Sequence, residues 1–176
     1  MRVLGIDPGF ASLGWGAFFV GLDGRREFMS CGLLETEKED GLRKSTDVAL
    51  RGEELFIELH SVFQEIRPNA VFVEEQSWPR DASVSAKMGV TWGIVLACSA
   101  LNGTRVVQIP PKDLKYRLTG STSAGKKIVQ AAVEKLLPES AKSLARLRSR
   151  AEHPADALGA ALVGHAMKLR PSSLGR

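Results

Sequence analysis

The first sixteen residues constrain the fold most strongly. Met1–Gly16 reads MRVLGIDPGFASLGWG, in which Arg2–Ile6 is a β-rich run and Asp7 follows directly. The Pro-Gly pair that comes next forces a turn, because proline fixes φ and glycine admits positive φ. A second apolar run, Leu13–Val20, follows at hairpin distance. The pattern therefore places a carboxylate at the end of a central strand, where a metal ion can be held against a phosphate.

This stretch has a simpler explanation when it is taken alone. Aspartates often cap a turn through their own side chains, and that role would account for Asp7 better than metal binding does. A metal site is favoured only if other carboxylates reach the same edge of the sheet.

Composition and length describe a single globular domain. The chain has 176 residues, of which 44% are hydrophobic and 25% charged. We expect one domain over residues 1–169 and a loose tail over 170–176. No apolar run is expected to reach the ~20 residues of a membrane span, and no secretory signal is visible. Two cysteines form neither a disulfide framework nor a zinc site, which favours the cytoplasm.

The charge is concentrated in one segment. Residues Arg105–Arg150 contain eleven Lys or Arg and only three Asp or Glu, although the whole chain is only +4. The remainder is therefore net acidic. This asymmetry fits a polyanion-binding face, and it fits a merely solvated basic surface equally well.

Hydrophobic periodicity predicts alternating elements after the first hairpin. The predicted strands are Arg2–Ile6, Leu13–Val20, Glu27–Glu35, Ala70–Val73 and Thr104–Ile109. The predicted helices are Val48–Ile66, Ala82–Leu101, Lys112–Leu118, Lys126–Leu137 and His153–Leu169. Residues Pro138–Ala151 are basic, and we predict that this segment is partly disordered.

These elements predict an α/β fold with one five-stranded mixed sheet. Strands 1–3 form an antiparallel meander, strands 4 and 5 are parallel, and helices cover both faces. Neither GxGxxG nor GxxxxGK[ST] occurs, so a nucleotide cofactor has no support.

One predicted helix carries a stripe of small residues. The stripe allows close approach of another surface, and its members are Ala86, Gly89, Gly93, Ala97 and Ala100. Packing on the protein's own sheet and contact with a second copy explain it equally well.

Carboxylates recur at the predicted ends of elements. Asp7 ends the first strand, Glu74 and Glu75 end the fourth, and His153 and Asp156 share one face at a helix start. Hard divalent cations prefer such oxygens and leave positions open for phosphate. Two ions ~4 Å apart can activate water and stabilise the leaving oxygen in phosphodiester hydrolysis.

Three motifs together resemble one family. LGIDPG, VEE and HPADALGAAL occur in order and resemble the RuvC-type Holliday junction resolvases, which have the ribonuclease H-like fold. The resemblance implies that Asp7, Glu74, His153 and Asp156 are catalytic and hold two Mg²⁺ or Mn²⁺ ions. Many members have aspartate where this chain has His153. Since imidazole suits softer metals than Mg²⁺, we expect Mn²⁺ to support activity at least as well.

The resemblance also implies residues that contact DNA. Lys115 and Lys126 match the family's basic residues near the scissile phosphate. Their supporters on the DNA backbone would be Lys112, Arg117 and Lys127.

The loop after Glu74 adds two further candidates. Family members insert an aromatic from this loop into the junction centre, and an ungapped match puts Ser77 there, with Trp78 just after it. Trp78 could stack on an unpaired base or pack in the loop, and Arg80 is a second DNA-binding candidate.

The resemblance implies a structure-selective endonuclease that acts on four-way (Holliday) DNA junctions in recombination and repair. It would act as a homodimer making paired, symmetric nicks with 5′-phosphate and 3′-hydroxyl ends. A branch-migration motor is a further partner of the family, and no membrane is expected. The alternatives are a nuclease preferring flaps or forks, a catalytically weak junction-binding protein, and an actin-like ATPase or sugar kinase.

Overall fold

The structure is a computed structural model that describes residues 1–76 and 79–167. The strands are β1 (Arg2–Asp7), β2 (Ser12–Val20), β3 (Arg26–Glu35), β4 (Ala70–Glu74) and β5 (Val106–Ile109). The helices are α1 (Lys44–Ile66), α2 (Ala82–Leu101), α3 (Pro111–Thr119), α4 (Lys126–Leu136), α5 (Ser140–Leu147) and α6 (Glu152–Ala166). A short 3₁₀ turn, Arg148–Arg150, joins the last two helices.

The strands form one mixed sheet in the order β3-β2-β1-β4-β5. β1 pairs antiparallel with β2, which pairs antiparallel with β3, whereas β4 is parallel to both β1 and β5. The predicted sheet is confirmed. In the parallel pairs Ile6 lies opposite Val73, and Glu74 lies opposite Ile109. The carboxyl ends of three strands therefore meet at one edge, which is where ligands bind in sheets of this kind.

Helices cover both faces of the sheet, as predicted, because successive strand residues point to opposite sides. On β1, Val3 joins the core beneath α3, α4 and α6, whereas Leu4 and Ile6 join the core beneath α1 and α2. Asp7 is four residues after Val3, so its side chain points to the same face of the sheet as Val3, which is the face that α6 covers.

Two glycines let α6 lie directly on the centre of the sheet. A Cβ added at Gly5 of β1 would stand 1.8 Å from the carbonyl oxygen of Ala157. A Cβ at Gly14 of β2 would stand 2.2 Å from the carbonyl carbon of His153. Real Cβ contacts are never so short, so any larger residue would push α6 away. Because Gly14 lies opposite Asp7, this approach brings the first turn of α6 to Asp7.

The segment predicted to be partly disordered is ordered, and that prediction is wrong. Residues 140–147 form α5, whose Leu144 is fully buried against Ala151 and Ala155. The basic side chains that suggested disorder lie mostly on the outer side of a helix that buries only a narrow apolar strip. α1 also begins earlier than predicted, at Lys44.

α2 differs from expectation in two ways. By length and composition alone it is long and apolar enough to cross a membrane, contrary to the prediction that no run reaches that length. Its residues Ile94, Val95 and Cys98 nevertheless join the core beneath the sheet. The small-residue stripe is exposed: no described heavy atom lies within 4 Å of a Cβ built at Gly89 or Gly93. The stripe therefore does not serve packing on the protein's own sheet.

Candidate active site

The structure gathers the four predicted acidic-site residues at one edge of the sheet. Asp7 ends β1, Glu74 ends the neighbouring β4, and His153 and Asp156 lie in the first turns of α6. Residues far apart in sequence meet here because α6 crosses the sheet at glycine positions. The arrangement is that of a site built from strand ends and one helix start.

His153 is bound directly to Asp7. The Nδ1 of His153 donates to the Oδ2 of Asp7 over 2.7 Å. This hydrogen bond to a carboxylate raises the pKa of His153, an effect that burial partly opposes. The imidazolium form is thus favoured while the two side chains remain paired.

The other two carboxyl groups resist ionisation. Burial, followed by the negative charges of Asp7 and Asp156, raises the pKa of Glu74 to about 7. Burial, followed by the charge of Asp7, raises the pKa of Asp156 to about 6. Groups that repel one another in this way are stabilised by any cation that enters between them.

The donor set suits a divalent cation, but the side chains do not form a finished cage. Within residues 1–76 and 79–167, no three His, Cys, Asp or Glu side chains converge closely enough to hold one ion. The bond between His153 and Asp7 occupies two of the donors. Three mutually repelling carboxyl groups and an imidazole nevertheless fit the ligand preferences of Mg²⁺ and Mn²⁺. A cation would therefore draw these side chains together and replace that hydrogen bond.

Two lysines lie beside the acidic cluster, as predicted for residues near the scissile phosphate. The positive charges of Lys115 and Lys126 both lower the pKa of Glu74 against the larger opposing effects. The Nζ of Lys126 also pairs with Glu152 at 2.7 Å, and this hydrogen bond raises the pKa of Lys126. Glu152, adjacent to His153, was missed in the sequence, although its position next to a motif residue was visible.

The remaining DNA-binding candidates are more dispersed. Lys112 is exposed in the first turn of α3, and Arg80 is exposed just before α2. Arg117 lines a cavity with Ala166, at the end of α6 opposite to His153. Lys127 lies with Gln130, Ala131 and Glu134 on an outer side of α4. The candidate wedge, Trp78, lies outside the described residues.

Comparison with known proteins decides the family. A family model described as "Crossover junction endodeoxyribonuclease RuvC" matches residues 3–165, which include all four residues of the acidic site. The chain belongs to the RuvC family. The RuvC of Syntrophomonas wolfei is 32% identical over 173 residues, covering 98% of this chain and 92% of that one. The RuvC of Pseudothermotoga lettingae is 32% identical over 137 residues, covering 78% and 80%.

A solved RuvC structure has the same fold. The Thermus thermophilus RuvC in complex with Holliday junction substrate superposes with a TM-score of 0.74 at 28% identity. The match covers 96% of this chain and 94% of that chain. The ribonuclease H-like fold expected from the motifs is thereby confirmed.

Neutralising Glu74 should stabilise the metal-free protein at alkaline pH. The folded-state pKa of about 7 lies above the ordinary 4.5, so the folded protein binds this proton more tightly than the unfolded chain. The parent should therefore lose stability as pH rises from about 4.5 to about 7. We expect Glu74→Gln to raise the free energy of unfolding by about 1–2 kcal/mol at pH 8. Urea unfolding without divalent metal measures the difference.

The exposed neighbour Glu75 provides the matched control. Glu75→Gln should leave the urea midpoint near that of the parent at both pH 4 and pH 8. Equal effects of the two substitutions would contradict the idea that Glu74 is held in a repulsive, buried cluster.

Proposed function

We propose that this chain is a Holliday junction resolving endonuclease whose acidic site cleaves DNA with bound divalent metal. The observation that carries the proposal is the meeting of Asp7, Glu74, His153 and Asp156 at one sheet edge in a chain of the RuvC family. A solved relative with the same fold is described as bound to Holliday junction substrate. The enzyme is an endodeoxyribonuclease that serves recombination and repair.

Each group in the site has a role in phosphodiester hydrolysis. Asp7, Glu74, Asp156 and His153 would hold two Mg²⁺ or Mn²⁺ ions, which supply water activation and stabilisation of the leaving oxygen when bound. Lys115 beside Glu74 suits contact with the DNA phosphate. Lys126 can make the same contact once phosphate competes with Glu152 for its ammonium group. The products would be 5′-phosphate and 3′-hydroxyl ends, left as paired, symmetric nicks.

Cleavage of a synthetic four-way junction tests this function. The parent in Mn²⁺ or Mg²⁺ should make paired nicks in the junction and leave linear duplex of the same sequence intact. Asp7→Asn should lower the single-turnover rate by at least about 100-fold while the junction is still bound. Asp23→Asn, a change in the exposed loop between β2 and β3, should cleave as the parent does.

The same assay separates the alternatives. Junction binding without cleavage in either metal would leave a junction-binding protein and overturn the catalytic assignments. Faster cleavage of flaps or forks than of junctions would make this a branched-DNA nuclease of another preference. ATP turnover would instead favour the kinase-like alternative.

The choice of metal should depend on His153. Exchanging an anionic oxygen ligand for a neutral nitrogen favours the softer ion, so Mn²⁺ should support cleavage at least as well as Mg²⁺. His153→Asp should shift the ratio of the two rates towards Mg²⁺. Single-turnover cleavage over a range of each metal measures this ratio. A parent that is strongly active in Mg²⁺ and much weaker in Mn²⁺ would contradict the assignment of His153 as a ligand.

We propose that the enzyme works as a homodimer joined through the exposed stripe of α2. That stripe consists of small residues, which let two helix backbones approach closely, and it is flanked by the exposed Val84 and Leu96. A second copy is the occupant that would place two such sites on one four-way junction. Paired nicks require two active sites, so the dimer and the proposed reaction support each other.

A charge on the stripe should separate the copies. Gly93→Glu would place a carboxylate in the contact, and sedimentation should then report a monomer at concentrations where the parent is a dimer. Leu22→Glu, at a fully exposed apolar residue in the turn after β2, is the control and should remain dimeric. A dimer that persists in Gly93→Glu would exclude this surface.

The remaining assignments follow from the same proposal. Trp78 would enter the junction centre, and Arg80, Lys112, Arg117 and Lys127 would contact the DNA. Residues 1–169 would act as one domain. A branch-migration motor is the proposed further partner. The proposed location is the cytoplasm. Both cysteines are free thiols in the structure, which suits a reducing compartment.

A further inference from the structure

We propose that Arg51 is a positioning residue for the cleavage reaction, because its buried guanidinium fixes the turn that follows Asp7. The inference rests on the proposed function. Arg51 lies on α1, and its hydrogen bonds go to Thr36 and Asp47, outside the acidic site.

The burial of Arg51 is the first observation. Arg51 is 8% exposed and its partner Asp47 is 4% exposed, with 3.4 Å between Nη1 and Oδ2. Removing two charges from water costs free energy that their attraction scarcely recovers, so an apolar pair would hold α1 in place as well. The ion pair therefore has another role than stability, and the partners of the remaining N–H donors of Arg51 indicate that role.

The remaining donors of Arg51 form hydrogen bonds with Thr36, and Thr36 forms hydrogen bonds with the turn that follows Asp7. The Nε of Arg51 donates to the Oγ1 of Thr36 over 3.1 Å, and Nη2 donates to the Thr36 carbonyl over 3.1 Å. Thr36 in turn donates its hydroxyl to the Phe10 carbonyl over 2.8 Å. Its backbone N–H donates to the Ala11 carbonyl over 3.1 Å. A planar guanidinium thus fixes two consecutive carbonyls of the turn through a single residue.

Arg51 also contacts the turn directly. Its guanidinium carbon lies 4.6 Å from the centre of the Phe10 ring, and Phe10 is itself buried. The side-chain amide of Gln76 also donates to the Pro8 carbonyl. The turn is therefore held at three of its carbonyls and at its one large side chain, Phe10.

The constraint reaches the reacting groups because Pro8 follows Asp7 directly. In the metal-free protein, Asp7 presents one oxygen to His153 at 2.7 Å, and its charge acts on Glu74 and Asp156. If the turn moved, the Asp7 carboxylate would swing at the end of β1, and the four donors would no longer meet. Misplacement by about 1 Å can lower the rate of a positioned reaction about 100-fold.

Arg51→Met tests the inference, since methionine fills similar space without any donor. With a synthetic four-way junction at saturation in Mn²⁺, we expect the single-turnover rate to fall about 100-fold. The junction dissociation constant should stay within about threefold of that of the parent. Direct titration of the protein with Mn²⁺ in the absence of DNA should show weaker binding. This second readout does not depend on cleavage.

Two further variants separate positioning from folding. Arg51→Met with Asp47→Asn removes both charges and keeps an acceptor for the Glu39 N–H, so the urea midpoint should recover. If Arg51 positions the turn, the cleavage rate and Mn²⁺ affinity remain low in this double variant. Leu59→Ala, at a fully buried site on the same helix, should lose stability yet cleave at the parental rate per folded molecule.

Recovery of both stability and parental rate in the double variant would overturn the inference, as would an equal rate loss in Leu59→Ala. A parent that binds the junction but never cleaves it would count against the proposed function instead. In that case Mn²⁺ binding still decides the inference: equal affinity in the parent and Arg51→Met would overturn it.

Discussion

The direct contact of α6 with the glycines of β1 and β2 is the constraint on which the site depends. With no side chain at Gly5 or Gly14, the helix backbone rests on the sheet backbone itself. His153 is thereby brought within hydrogen-bond distance of Asp7, 146 positions earlier in the chain. The register of β1 with β4 then sets Glu74 beside them. A site of one imidazole and three carboxyl groups follows from one helix–sheet contact and one strand pairing.

Much of the fold could be predicted because its signals are local. Alternating and continuous apolar runs marked all five strands, and 3.6-residue periodicity marked the long helices. α5 was missed because it buries only Ser140 and Leu144, and one apolar position does not produce a visible helical period. The exposure of the α2 stripe could not be predicted either, since a run of Ala and Gly has no polar face to show which side meets water.

The acidic site could be predicted from its motifs, but its supports could not. Asp7, Glu74, His153 and Asp156 stand in short, recognisable runs, and the structure brings them to one edge. Arg51 carried no such signal, because an arginine in a polar helix start looks like any solvated cation. Its burial depends on loops that fold back over α1, which is information that only tertiary structure holds. The residues that position the site are dispersed along the chain, whereas the candidate metal ligands lie within short motifs.

The nearly complete burial of α6 has a consequence for synthesis of the protein. From Ala155 to Gly164 every residue except Asp156 is buried, so this helix fills the centre of one core while it supplies half of the acidic site. A chain still emerging from the ribosome, without residues 152–166, leaves one face of its sheet without its central layer. Contacts of such long sequence separation form late and slowly. Nuclease competence and structural integrity should thus arrive in the same step, which leaves a nascent chain unable to nick DNA.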